Sequence, residues 1–368
     1  MRIGIVGSGQ LGRMIALSAA PLGHEVWVLG TSEGDPALAV ARGVIGAGYD
    51  DAFALASLVG RVDVVTYEFE NVPAQPLSEA IEGSAVSLAP SLKALRTSSD
   101  RWIEKQTFES LSIPTAPFAA IDSQADLDRA VASLGLPLVL KTRRLGYDGK
   151  GQRVLRSATD VDGAFAVLGE VPCIAERFVD FVREVSLVAA RSRVGELAFY
   201  PLAENVHREG ILYRTVALDR SESPALHALA ESHVRALLEA LDYVGVMAIE
   251  MFEARDGTLI ANEIAPRVHN TGHWTQDGAV TSQFEQHVRA ITGAPLGSTE
   301  RRGHAAMVNL VGAVPDVAAL LALPDVHLHL YGKSARPGRK LGHVNVLAAS
   351  ADALTERLEQ VEGLIQWA

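Results

Sequence analysis

The sequence predicts an α/β protein with a parallel, Rossmann-like sheet at the N-terminus, an α+β central region and a small C-terminal domain. Three observations carry this. Roughly the first hundred residues alternate short apolar strands with helices, the pattern of a parallel sheet covered on both faces. The centre has apolar runs that end on charged residues, separated by glycine- and proline-bearing loops. The length of 368 residues, with 48% hydrophobic and 21% charged side chains, suffices for two or three separate cores.

In chain order, residues 3–6 read as a strand, 11–22 as a helix, 26–29 as a second strand and 62–66 as a later one. Asp100 opens a helix over 101–111, and Pro114 and Pro117 forbid its continuation. Residues 138–141 form a strand that runs into a glycine-rich loop over 145–152. Residues 223–241 make a long amphipathic helix with Pro224 at a tolerated first-turn position. Apolar runs at 244–249 and ending near 260 are strands, as are 305–311, 326–331 and 342–348, before a final helix over 351–361. The expected domains are 1–97, 98–296 with a lid over about 115–175, and 297–368.

The net charge of −11 argues against a nucleic-acid partner, although a local cationic cluster can still hold a small anion. One cysteine, Cys173, excludes an internal disulfide, fits a reducing cytoplasm and reads as buried filler. No run approaches the roughly 20 apolar residues of a membrane span, and residues 2–6 read as a strand rather than part of a signal peptide.

Gly7-Ser8-Gly9-Gln10-Leu11-Gly12 matches the G-x-G-x-x-G fingerprint between a strand and a helix. An NAD site also requires an acidic residue ending the second strand; here Glu33 comes late, so a substrate phosphate near Gln10 or a plain tight turn is the better reading. The segment 66–71 lies past a strand end, where such sheets bind ligands, and offers Glu70 as a substrate contact.

The chemistry concentrates further on. Lys141 closes an apolar strand, an awkward place for a charge unless it meets an anion, and the loop Gly146-Tyr147-Asp148-Gly149-Lys150-Gly151-Gln152 follows at once. Its glycines let backbone N–H groups approach phosphate oxygens. Glu176, Arg177, Phe178 and Val179 end another strand, where backbone groups could meet an adenine edge, and Glu184 suits ribose hydroxyls. His207 stands between that region and the next. Glu250 ends one apolar run, and Asn262-Glu263 comes just after another, ahead of Arg267, His269 and Asn270. Two carboxylates on neighbouring strands, aimed alike, make an oxygen site for Mg²⁺ completed by nucleotide phosphates. The arginine would grip a small anion beside it as a planar fork.

With these residues together, the chain resembles ATP-grasp enzymes, and among them the N5-carboxyaminoimidazole ribonucleotide synthase family. The resemblance runs from the motif at Gly7 to Met14, through Tyr147–Gln152 and Asn262–Asn270, to the Arg-Pro-Gly-Arg-Lys segment ending at Lys340. It implies carboxylation of 5-aminoimidazole ribonucleotide with bicarbonate at the cost of ATP, with Mg²⁺ or Mn²⁺, in a cytoplasmic homodimer. It implies ATP contacts at Arg101, Lys141, Gly146–Gln152, Glu176–Val179, Glu184, His207, Asn262 and Glu263, and metal ligation by Glu250 and Glu263. Asp148, Arg267, His269 and Lys340 would act on the reacting groups. Gln10, Leu11, Glu70, Tyr147, Asn270, Arg339 and Lys340 would hold the ribonucleotide. One departure concerns the phosphate loop. Leu145 stands where the family tends to carry a glycine, so a need for positive φ there would alter the loop. Rival readings are another ATP-grasp carboxylase or ribonucleotide ligase, an NAD-linked dehydrogenase resting on residues 7–12 alone, and a nucleotide-binding regulator without catalysis.

Overall fold

Strand after strand of the N-terminal hundred residues pairs in parallel, as the alternating pattern requires. The computed structural model describes residues 1–31, 34–146 and 149–367, so Glu33, Tyr147 and Asp148 lie outside the described residues. The first sheet has five parallel strands in the spatial order Gly43–Gly46, Glu25–Gly30, Arg2–Val6, Val64–Tyr67 and Ser87–Leu88. The expected 11–22 helix is an α-helix over Gln10–Ala19 followed by a 3-10 turn, Ala20–Leu22. Pro21 has no N–H to continue the α ladder, and its ring would crowd the preceding turn.

The largest sheet is antiparallel throughout. Its path runs Leu259–Ala265, Gly245–Glu253, Arg183–Arg191, Ala203–Arg208, Ile211–Ala217, His304–Val311, Lys340–Ala348 and Val326–Leu330, with Leu197–Phe199 added beside Arg183–Arg191. The boundary expected near residue 297 therefore falls between strands of one continuous sheet, since His304–Val311 pairs with Ile211–Ala217. The hairpin joining 203–208 to 211–217 turns on Glu209 and Gly210, both at positive φ (53° and 77°), the geometry that matches strand twist. Glu-Gly is a weaker turn signal than Asn-Gly, and sequence reading passed over this hairpin.

A third, four-stranded antiparallel sheet orders Phe118–Ile121, Cys173–Arg177, Leu138–Thr142 and Gln152–Leu155. The Lys141 strand and the Glu176 strand are thus direct neighbours. Strand Gly245–Glu253 is buried on both faces: Val246 and Ala248 join one apolar cluster, Met247, Ile249 and Met251 another. That explains its unbroken apolar run, and by strand alternation puts Glu250 on the Val246 face. Helix Arg101–Ser110 starts where Asp100 accepts the N–H of Trp102 (3.0 Å) and closes against this sheet.

Candidate active site

Where the three sheets converge lies a cavity of about 550 Å³. One wall is the strand pair carrying Glu250 and Glu263, which are direct register partners with a bulge immediately after Glu250. Facing partners on adjacent strands project to the same side of a sheet, so both carboxylates reach the cavity. Arg101 Nη1 lies 2.6 Å from Glu263, and His269 Nε2 lies 3.1 Å from Glu250.

The pair is electrostatically uneven. Burial opposes ionisation of both. At Glu263 the Arg101 and Lys141 charges outweigh it and hold the carboxyl near 2. At Glu250 burial and the Glu263 charge act together, pushing it up to about 7. Two partly buried acids side by side resist double ionisation unless a cation lies between them. Among the described residues no group of three or more His, Cys, Asp or Glu side chains is arranged to hold a metal alone. Two hard oxygen donors with room for phosphate oxygens suit Mg²⁺ rather than a protein cage.

Burial pulls His269 well below its ordinary value, with Arg267 and Lys340 adding to the effect. Its Nδ1 accepts the N–H of Thr271, so the neutral ring carries its hydrogen on Nε2, toward Glu250. Arg267 donates from Nε to Glu70 (2.7 Å) and from Nη1 to the carbonyl of Val268 (3.2 Å). The guanidinium's other donors belong to a side chain that lines the cavity. Asn270 and Asn309 exchange amide hydrogen bonds of 3.1 and 2.7 Å, so a buried residue of the His304–Val311 strand orients Asn270.

The opposite wall is cationic. Lys141 Nζ is 3.0 Å from Glu176 and 3.3 Å from the Asn262 amide oxygen. A second lysine, Lys105, almost wholly buried, is 3.1 Å from Glu176 and donates to Thr115 and to the carbonyls of Ala261 and Asn262. Burial disfavours the Glu176 charge, yet Lys141 and Lys105 outweigh it and keep the carboxyl down at about 2. His207 lies 3.0 Å from Glu184; burial lowers it, but Glu184 and Glu250 more than compensate and raise it.

Most of the expected residues meet in this cavity. Gln10, Leu11, Glu70, Arg101, Lys141, Gly146, Gly149, Lys150 and Gln152 line it, with Glu176 through Val179 and Glu184, His207, Asn262, Asn270 and Lys340. Gly151 and Arg339 do not line it; Arg339 instead donates to Ser334. Tyr147 and Asp148 lie outside the described residues. Leu145 adopts φ 64°, so the left-handed turn survives without the glycine.

Sequence reading missed four participants: Lys105, Glu104, Asn309 and Lys333. Glu104 accepts the N–H of Ile264 (2.7 Å), and burial, then Glu263, push its carboxyl up to about 8. Lys105 follows Arg101 by one helical turn, a spacing that could have flagged it. Lys333 donates to the Gln10 side chain, a contact no local pattern signals. The fingerprint at residues 7–12 is also resolved. The N–H groups of Gly9 and Gly12, where a dinucleotide would place its pyrophosphate, are both taken by the Glu68 carboxylate, at 2.6 Å for Gly12.

A nucleotide-sized cavity between a small antiparallel sheet bearing lysine and glycine loop, and a large one bearing paired acids, defines the ATP-grasp class. An ATP-grasp domain profile matches residues 106–284, flanked by a ribonucleotide synthetase preATP-grasp domain (1–98) and a phosphoribosylaminoimidazole carboxylase C-terminal domain (305–357). The chain belongs to the N5-carboxyaminoimidazole ribonucleotide synthase family. It is 53% identical to the enzyme of that name from Pseudomonas aeruginosa, over 100% of both chains. The crystal structure of the Thermus thermophilus synthetase is similar at TM-score 0.94 and 45% identity, covering 100% of this chain and 99% of that one. The Aspergillus clavatus synthase in complex with ADP and 5-aminoimidazole ribonucleotide matches at TM-score 0.91 and 31% identity, over 99% and 98% of the chains.

Proposed function

We propose that the chain carboxylates 5-aminoimidazole ribonucleotide with bicarbonate and ATP, giving N5-carboxyaminoimidazole ribonucleotide, ADP and phosphate. The observation that carries this is the in-register Glu250/Glu263 pair facing Lys141 across one cavity, with Arg267 two residues past the strand end. Bicarbonate is a poor electrophile. A bicarbonate oxygen attacking the γ-phosphorus expels ADP and leaves carboxyphosphate, whose phosphate departs readily. The exocyclic amine then bonds to the carboxyl carbon, or to CO₂ released from it, and loses a proton.

The protein's part is positioning and charge neutralisation. Mg²⁺, held by Glu250 and Glu263, would neutralise triphosphate charge; Mn²⁺ has the same oxygen preference. Lys141 and Lys150 address the phosphates, Arg101 keeps Glu263 ionised, and Glu176 to Val179, Glu184 and His207 surround the base and ribose. Arg267, fixed by Glu70, grips bicarbonate or the carboxyphosphate carboxylate, and neutral His269 orients Glu250. Gln10, Lys333 and Lys340 take the ribonucleotide side. Asp148 is the candidate acceptor of the amine proton, with Tyr147 against the ring. Residues 145–152 are the lid that excludes water.

We also take 1–97, 98–296 and 297–368 as the functional units, the assembly as a homodimer and the location as the cytoplasm; among the described residues no helix is long and apolar enough to cross a membrane. The test is ADP release with ATP and bicarbonate, with and without aminoimidazole ribonucleotide. Dependence on both is expected. Equal ADP release with glycinamide ribonucleotide or biotin in its place would move the chain to another ATP-grasp activity.

A further inference from the structure

Glu68 is a buried acid in the N-terminal domain that the reaction does not use. It follows the Val64–Tyr67 strand, its N–H bonded to Val6. Its carboxylate lies across the start of helix Gln10–Ala19, accepting from the N–H groups of Gly9 and Gly12. Those donors have no partner within the helix and sit at its positive end, where a negative charge is favoured. The fit is close. A Cβ on Gly9 would come within 2.8 Å of the carboxylate, and one on Gly7, at φ 127°, would overlap the Glu68 side chain. A residue some sixty positions away thus accounts for the spacing of the fingerprint glycines.

Both elements joined by this carboxylate lead into the cavity. Two residues after Glu68, Glu70 fixes Arg267 through Nε at 2.7 Å. At the first turn of the helix, Gln10 accepts from Lys333. Glu70, Gln10 and Arg267 line the cavity, whereas Glu68 does not.

We propose that Glu68 is a positioning residue for the ribonucleotide side of the site: an internal anion that fills the phosphate-type hole of the first helix and locks Glu70 and Gln10 into register. The assignment of that side to the ribonucleotide rests on the function proposed above. The carboxylate acts through two N–H bonds at once. In Glu68→Gln one amide hydrogen-bonding end would be a donor facing a donor, so the isostere cannot replace it.

The test uses Glu68→Ala, Glu68→Gln and Gly9→Ala in the full chain. KM for aminoimidazole ribonucleotide should rise about tenfold or more in each, as expected for losing a hydrogen bond to a charged group, with KM for ATP within about twofold. Added formate should restore the KM of Glu68→Ala but not of Glu68→Gln, whose side chain still fills the hole. Formate should also raise the melting temperature of Glu68→Ala and leave the wild type unchanged. The Gly9→Ala, Glu68→Ala double variant should be no worse than Glu68→Ala alone, because the Gly9 change disturbs a contact that the Glu68 change already removes. Parallel rises in both KM values with no effect of formate would overturn the proposal and leave Glu68 a structural residue. If Glu68→Ala does not fold, Gly9→Ala decides by the same KM split. A wild type without ribonucleotide-dependent ADP release would instead remove the proposed function, while the melting shift with formate would still judge the internal anion.

Discussion

Two glycine-rich turns in this chain follow apolar strands and look alike on paper, yet they do opposite things. The turn at 7–12 closes on a carboxylate of its own chain, with Glu68 on the N–H groups of Gly9 and Gly12. The loop at 145–152 instead opens onto the cavity through Leu145, Gly146, Gly149, Lys150 and Gln152, beside Lys141. Backbone N–H groups favour an anion in both places. What differs is what the fold sets opposite: an internal acid in the first, a space walled by lysine and paired glutamates in the second. A glycine pattern therefore reports that an anion will be close, not whose anion it is.

The comparison can be broken at several points. The largest effect should come from Lys105→Met, which leaves Glu176 with one fewer buried cation. Removing one partner of a buried ion pair costs about 3–5 kcal/mol, so urea melts should show a lower midpoint, and an unchanged midpoint would remove Lys105 from the open site's scaffold. Glu263→Gln should lower ADP release by about 10²–10³-fold, the range for removing one group aimed at transition-state charge. Near-normal turnover would end the metal assignment.

Arg267→Ala should cost about tenfold to a hundredfold in kcat/KM for bicarbonate, the scale of a charged hydrogen bond, while sparing the KM for ATP. Loss of nucleotide binding instead would move that arginine to the ATP side.

Lys333 sharpens the contrast through pH. Burial, then Arg339, pulls its ammonium down to about 8. Its folded value lies below its unfolded one, so the cost of holding that charge is fully present below about pH 8 and fades as pH rises toward the usual lysine value. Lys333→Gln should therefore stabilise the fold by about 1 kcal/mol at neutral pH, with the gain vanishing near pH 10, while weakening ribonucleotide binding. Thermal melts at those two pH values check the sign. The smallest effect belongs to Leu145→Gly. Relief of a left-handed leucine (φ 64°) should stabilise by about 1 kcal/mol, with turnover within about twofold; a large loss of activity would mean that the leucine side chain, not the backbone, serves the lid.

By itself the sequence determined the parallel N-terminal sheet and the strands that carry Lys141, Glu176, Glu250 and Glu263, although the last two sit inside their strands rather than at the ends. Periodicity and charges beside apolar runs are local, so they are legible without coordinates. The tertiary structure alone decided that Glu68 closes the first glycine turn, that Lys105 serves Glu176 and that Asn309 orients Asn270, pairs 39 to about 70 residues apart in sequence. It also decided that Lys333 meets Gln10 from the far end of the chain. Long-range polar pairs leave no local pattern, because their partners are chosen by burial: a charge taken out of water must be met by whatever the packed fold brings to it.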